Sequence, residues 1–265
     1  MEPASAASRT RFLALLAGLS GAAMASTSGR TQAQQRLKGK AMNIVLVHGA
    51  WSDGSGWSKV IPILQAAGHN VVAVQNEMRT LKADSDNTRA AIDALSGPTL
   101  LAGHSYGGAV MTSAGRDAKN VVGLVYIAAF APDEGESLND INARFAPAPG
   151  GKVVVPDARG LLFLDRAQMP AFFVADIPAA EGAVLAAVQR PVAGAIFTDR
   201  VGPPAWKQHK SWFAVSENDL MIDPNAERFM AQRSKATTTS LKSSHASLVS
   251  HPREVAELIL AAANG

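Results

Sequence analysis

The residues best suited to chemistry in this sequence surround Ser105, in the run Gly103-His104-Ser105-Tyr106-Gly107. An apolar segment precedes this run and a helix-like segment follows it, so the pattern predicts a strand, a tight turn and a helix. Glycine is needed on both sides of the serine, because a Cβ atom in so sharp a bend would collide with a neighbouring element. Such a turn would hold the Ser105 hydroxyl at the carboxyl edge of a sheet, as a nucleophile.

A serine hydroxyl is a weak nucleophile unless a base removes its proton, so a histidine is expected later in the chain with an acid before it. His245 fits the base because it lies between the last predicted strand and the last predicted helix. Asp219 is the preferred acid because it lies in the loop after a predicted strand, whereas Asp223 is typical of a helix N-cap. Glu217 remains an alternative acid.

Attack on a carbonyl group creates an oxyanion, which two preorganised N–H groups can stabilise. The N–H of Tyr106, directly after the nucleophile, and the N–H of Ala50 are the predicted donors. Ala50 lies in the run His48-Gly49-Ala50-Trp51, where a glycine lets the backbone approach the site closely. These groups together predict a serine hydrolase that cleaves a carboxylic ester or related acyl substrate through an acyl-enzyme, with no cofactor and no metal.

From residue 42 onward, short β-branched runs alternate with amphipathic segments. This alternation predicts an α/β fold with a doubly wound, mainly parallel sheet and helices on both faces. Strands are expected over 43–48, 70–74, 99–102, 121–127, 211–215 and 237–240, and helices over 57–67, 85–95, 106–116, 224–233 and 252–263. Prolines interrupt the pattern at about 131–204, which predicts a helical lid insertion over a mainly apolar pocket. The side chains expected to contact the substrate are Trp51, Phe163 and Phe172.

Four stretches resemble the α/β-hydrolase superfamily over residues 42–263, and the small esterase-like members similar to plant methylesterases and hydroxynitrile lyases in particular. They are His48-Gly49-Ala50-Trp51, Gly103-His104-Ser105-Tyr106-Gly107-Gly108, Asp219-Leu220-Met221-Ile222, and Ser244-His245 before a proline-led last helix. The resemblance implies a lid inserted before the acid-bearing strand and a sheet without a leading hairpin. The lyases have a lysine directly after the catalytic histidine, but Ala246 stands here, so ester hydrolysis is favoured over cyanohydrin cleavage. A receptor-like protein with little turnover and a lyase-type enzyme both remain alternatives.

Composition narrows the classes of partner and of catalytic chemistry. The net charge of +3 comes from residues 1–41, which hold six basic residues and one acid, so the remainder is near −2 and has no basic field typical of nucleic-acid binding. The sequence has no cysteine, which excludes thiolate metal sites and cysteine nucleophiles. The expected partner is therefore a small ester-like molecule, and the oligomeric state is not indicated.

The N-terminus predicts export to the periplasm or secretion. Arg9 and Arg11 precede an apolar run over 12–25 that ends in Ala23-Met24-Ala25, which is typical of a cleaved signal. The run is shorter than the roughly 20 residues that span a bilayer, so no stable membrane insertion is expected. The predicted organisation is an export signal over 1–25, a linker over 26–41 and a hydrolase domain over 42–265. A cytoplasmic protein that starts at Met42 remains the alternative.

Overall fold

A parallel sheet runs through the middle of residues 42–265, the part of the chain that this computed structural model describes. The strands, in chain order, are β1 (Asn43–Val47), β2 (Asn70–Ala73), β3 (Thr99–His104), β4 (Val121–Ile127), β5 (Val154–Pro156), β6 (Leu162–Leu164), β7 (Ser211–Ser216) and β8 (Thr237–Leu241). Six of them form the sheet in the order β2-β1-β3-β4-β7-β8, and every neighbouring pair in it is parallel. The predicted doubly wound sheet is confirmed.

The central strands are apolar because both faces of the sheet are covered. All residues of β1, β3 and β7 are buried, whereas the edge strands β2 and β8 are partly exposed. Fully buried parallel strands need continuous apolar runs rather than alternation, which is the pattern seen along β1. The ends of β1 and β3 are in register, with Val47 opposite Gly103, so the loops that follow these strands emerge side by side.

The helices in chain order are α1 (Ile61–Ala66), α2 (Leu81–Asp93), α3 (Tyr106–Ala114), α4 (Leu138–Asn142), α5 (Met169–Phe173), α6 (Ala179–Val188), α7 (Ala195–Thr198), α8 (Pro224–Arg233), α9 (Ser247–Ser250) and α10 (Pro252–Asn264). Short 3-10 helices cover Gly54–Trp57, Pro149–Val153 and Ala205–Lys207. Helices α1 and α10 pack together, as do α2 and α3. The helix expected over 57–67 covers only Ile61–Ala66 and follows the 3-10 helix Gly54–Trp57. Helix α2 begins earlier than expected, because Thr80 accepts a hydrogen bond from the N–H of Ala83 as its N-cap.

The segment between β4 and β7 differs from the expected helical lid in one respect. It holds the short helices α4 to α7, as predicted, but also an antiparallel hairpin of β5 and β6. The prediction was incomplete because strands of three residues are too short to show alternation. A bridge between Leu162 and Val192 ties this hairpin to the chain after α6.

The predicted export signal over 1–25 and linker over 26–41 lie outside the described residues, so both stay predictions. Within residues 42–265, no helix is both long enough and apolar enough to cross a membrane.

Candidate active site

Ser105 lies in a strained turn between β3 and α3. Its backbone adopts φ 53° and ψ −124°, a conformation that residues with a side chain rarely adopt. The Ser105 N–H donates to the carbonyl of Ile127 at 3.3 Å, and its carbonyl accepts from the N–H groups of Gly108 and Phe130 at 3.0 and 3.1 Å. The surrounding backbone therefore holds the strained residue from both sides.

The neighbouring glycines are required by close backbone approach. A Cβ on Gly103 would lie 2.6 Å from the carbonyl oxygen of Gly107, and a Cβ on Gly107 would lie 2.4 Å from that of Val47. A Cβ on Gly49 would lie 2.7 Å from Cβ of Ser105. These distances are far below normal van der Waals contact, so the turn closes only with glycine at these positions.

His245 and Asp219 form a buried hydrogen-bonded pair. The Nδ1–H of His245 donates to Oδ2 of Asp219 at 2.5 Å, and both side chains are almost fully buried. Oδ1 of Asp219 accepts from the N–H groups of Met221 and Ile222 at 2.6 and 2.9 Å, which fixes the carboxylate. Since Nδ1 carries the proton in this bond, Nε2 of His245 is left able to accept one.

The alternative acids have other contacts. Glu217 pairs with the guanidinium of Arg228 and stays partly exposed. Asp223 accepts from the N–H of Asn225 as the N-cap of α8, as expected. The structure thus brings Asp219, and neither of these two residues, to His245.

The predicted oxyanion donors lie in the two loops that meet at Ser105. Tyr106 is the first residue of α3, where N–H groups have no intrahelical partner. Ala50 follows Gly49 and is buried beside the same turn. Both residues line the cavity that contains Ser105 and His245.

Two buried groups behind these loops were not predicted as part of the site. The hydroxyl of Tyr106 donates to Oδ2 of Asp84 at 2.7 Å, and Oδ1 of Asp84 accepts from the N–H of Met78. Burial raises the pKa of Asp84.

The second buried group is the imidazole of His48. Its Nδ1–H donates to the carbonyl of Gly49 at 2.9 Å, while its Nε2 accepts from the N–H of Asn76 at 3.0 Å. Burial lowers the pKa of His48, so this ring is a neutral bridge that supports the Ala50 loop.

The segment between β4 and β7, the predicted lid, holds the loop that carries His245. The ring of Phe173 meets the His245 ring edge to face at 4.9 Å, and the carbonyl of Phe173 accepts from the N–H of Ala246 at 3.2 Å. Asp176 accepts from the N–H of Ser244 at 2.8 Å and from its hydroxyl at 2.5 Å. Burial alone would raise the pKa of Asp176, but the hydrogen bonds that it accepts, those from Ser244 foremost and one from Ser250, together lower the pKa below its ordinary value.

Replacing Asp176 by alanine is expected to lower kcat for a small ester by about tenfold while KM changes little, because the Ser244 N–H loses its acceptor and His245 is held less tightly. Steady-state kinetics measure both constants. The exposed carboxylate of Asp86 on α2 provides a control, and Asp86→Ala is expected to leave both constants unchanged. An unchanged kcat in Asp176→Ala would contradict the role of this lid contact.

A cavity of about 390 Å³ lies between the lid and the carboxyl edge of the sheet. Its lining includes the Ser105 and His245 side chains, the two polar side chains of Asn139 and Asn142, and a mainly apolar remainder that includes Trp51, Phe130, Val154, Leu162, Phe197, Met221 and Ile222. Among these lining residues of the described chain there is no carboxylate, lysine or arginine. The site therefore suits a neutral, largely apolar molecule.

Two of the predicted substrate contacts need correction. Trp51 lines the cavity, but Phe163 and Phe172 do not belong to its described lining. Successive side chains of a strand point to opposite faces, so Leu162 faces the cavity while Phe163 lines a separate outer groove. Phe172 packs half-buried against the core, and the next residue, Phe173, is the one that contacts His245.

The chain belongs to the alpha/beta hydrolase family, whose model matches residues 44–258. Two curated relatives are similar over part of their length. The carbendazim hydrolyzing esterase of Nocardioides sp. (strain SG-4G) is 37% identical over 109 residues, 36% of this chain and 45% of that protein. Salicylic acid-binding protein 2 of Nicotiana tabacum is 34% identical over 105 residues, 34% of this chain and 40% of that protein. The matches thus span less than half of either relative.

Solved structures show the same fold over most of the chain. A pyrethroid hydrolase from Sphingobium faniae JZ-2 has a TM-score of 0.73 at 20% identity, and covers 85% of this chain and 98% of that one. A methylesterase from Arabidopsis has a TM-score of 0.69 at 18% identity, and covers 84% of this chain and 99% of that one. The predicted resemblance to small esterase-like members of the superfamily is confirmed.

Proposed function

We propose that this protein is a serine hydrolase that cleaves a neutral, mainly apolar carboxylic ester or related acyl compound, with Ser105, His245 and Asp219 as its catalytic triad. The observation that carries the proposal is the buried His245–Asp219 hydrogen bond at one cavity with Ser105 in its strained turn. A carboxylate on Nδ1 orients an imidazole and stabilises its cation, which is the support that a serine nucleophile requires. The esterase among the partial relatives agrees with this reaction class.

In the proposed reaction, Oγ of Ser105 attacks the substrate carbonyl carbon while its proton moves to Nε2 of His245. The N–H groups of Ala50 and Tyr106 stabilise the oxyanion. His245 then gives the proton to the leaving alcohol, and an acyl group remains on Ser105. A water molecule attacks this acyl-enzyme and gives a proton to His245, which returns it to Ser105 as the acid leaves.

The experiment that tests this proposal combines turnover with covalent trapping. Wild type is given p-nitrophenyl esters of increasing acyl length and, separately, a fluorophosphonate that labels activated serines. We expect turnover with an initial burst of p-nitrophenol, together with one phosphonate per chain on the tryptic peptide that contains Ser105. Label on any other serine, or labelling that matches a heat-inactivated sample, would contradict the proposal.

A receptor-like protein with little turnover is the second candidate, because one partial relative is a salicylic acid-binding protein. The wild-type protein used for turnover and labelling also distinguishes the receptor from the enzyme. Saturable binding of salicylate in a calorimetric titration, with neither ester turnover nor labelling of Ser105, would favour the receptor. Turnover of the esters would favour the enzyme whether or not salicylate binds.

A further inference from the structure

Glu227 is a carboxyl group in the protein interior that the proposed reaction does not use. It lies in the first turn of α8 and its side chain is fully buried. Its Oε2 accepts from the N–H of Ser216, the last residue of β7, at 3.0 Å. Oε1 is also shielded from solvent, and in the described part of the chain it accepts from no N–H or O–H group.

Burial first, and then the negative charge of Asp219 and a hydrogen bond between the two side chains, raise the pKa of Glu227, so the two carboxyl groups are neighbours in the interior. Two ionised carboxylates offer only acceptors, so a hydrogen bond between them requires a proton on one of the pair. Asp219 already accepts from three donors, the N–H groups of Met221 and Ile222 and the ring of His245, whereas Glu227 accepts only from Ser216. Hydrogen bonds from donors favour the ionised form, so the proton belongs on Glu227.

The charges around Glu227 agree with this assignment. Burial and the neighbouring Asp219 carboxylate raise the pKa of Glu227 well above its ordinary value, against a smaller opposite effect of Arg228. Arg228 follows on α8 and is already paired with Glu217 at the start of the Asp219 loop. The imidazole of His245 contacts Asp219, and the hydroxyl of Ser243 donates to the hydroxyl of Ser216 at 2.9 Å.

We propose that Glu227 is a positioning residue, a neutral carboxylic acid that donates a hydrogen bond from Oε1–H to Asp219 and thereby fixes the carboxylate that orients His245. This inference rests on the proposed triad for its effect on the reaction, but the protonation of Glu227 in the folded protein stands independently. A neutral acid positions Asp219 without placing a second negative charge beside it. The ionised form would instead repel Asp219 and lose the hydrogen bond.

Glutamine has the shape of a protonated glutamate, so Glu227→Gln is the test variant. Its amide oxygen accepts from Ser216 and its amide N–H donates to Asp219. We expect kcat within about threefold of wild type and the acid limb of the kcat/KM profile at the same pH. If Glu227 were ionised in the native protein, the substitution would remove a negative charge near His245 and move that limb down by about 1 pH unit or more. That shift would overturn the proposal.

Glu227→Met removes both hydrogen bonds while it keeps the side-chain length, and it tests positioning itself. We expect kcat to fall about tenfold with little change in KM, whereas Glu227→Gln retains the rate. An unchanged kcat in folded Glu227→Met would overturn the positioning role. The glutamine variant keeps the proposal testable if the methionine variant does not fold.

The pH dependence of protein stability tests the protonation of Glu227 without any measurement of activity. A carboxyl whose pKa is raised by folding contributes its full stability below its unfolded pKa of about 4.3, and this contribution is lost as pH rises toward the native pKa. Guanidinium unfolding between pH 5 and 9 gives the equilibrium constant of unfolding for each protein. The wild-type constant divided by the Glu227→Gln constant is therefore expected to rise with pH, by up to about tenfold per pH unit. The exposed Glu257 of α10 provides the control, and Glu257→Gln is expected to give a constant ratio. A constant ratio in Glu227→Gln as well would overturn the proposal, whatever becomes of the triad.

Discussion

Ser105→Ala is expected to lower kcat for ester hydrolysis by about 10⁴-fold or more, because the variant has no hydroxyl to form the acyl-enzyme. Ester binding is expected to persist, since the remainder of the cavity is unchanged. The measurement is p-nitrophenyl ester turnover with the wild-type rate determined in parallel. Alanine removes only one oxygen atom, so a folded variant is expected.

The matched control is Ser58→Ala, a serine that is exposed just after the Gly54–Trp57 helix. It is expected to keep the full rate. A Ser105→Ala variant as active as Ser58→Ala would show that another residue attacks the substrate, and the proposed nucleophile would be wrong.

Asp219→Asn is expected to lower kcat by about 10³-fold to 10⁴-fold, because an amide no longer stabilises the imidazolium and favours the wrong tautomer of His245. The neighbouring acid should behave differently. Glu217→Gln removes only a partly exposed ion pair with Arg228, so the rate is expected to stay within about twofold of wild type. The two variants remove one charge each from the same loop, which makes them a matched pair.

The pair is compared by kcat on one ester at several pH values, after unfolding curves have shown that both variants are folded. Loss of rate in Glu217→Gln with full rate in Asp219→Asn would exchange the roles of the two acids. Loss of rate in both would indicate that the loop, rather than Asp219 alone, orients His245.

The turn around Ser105 could be predicted from the sequence because its spacing of two glycines around a serine, between a strand and a helix, is a local pattern. Gly103 and Gly107 are set by backbone contacts within a few residues and by the strand beside them. The loop positions of Asp219 and His245 follow from the alternation of strands and helices. The choice between Asp219 and Glu217 was harder, because Arg228, which pairs with Glu217, is eleven residues away along the chain.

Other features depend on tertiary packing that leaves little trace in the sequence. Phe163 was assigned to the pocket because the hairpin of β5 and β6 was not predicted, and only that hairpin decides which side chain faces inward. Glu227 has the pattern of an ordinary helix residue, and its burial becomes visible only when α8 packs on β7. Asp84 behind Tyr106 is hidden in the same way, since glutamate and aspartate in helices are usually exposed.

Because Ser244 and Ala246 donate hydrogen bonds to the lid, replacing the lid would affect more than the choice of substrate. An insertion that only covered the cavity could be exchanged for that of a relative without effect on the chemical step. Here Phe173 and Asp176 contact the loop of His245, so a transplanted lid would alter the proposed base along with the cavity. New specificity is therefore more accessible through the hairpin and α4, which line the cavity away from His245, than through the segment from α5 to α6.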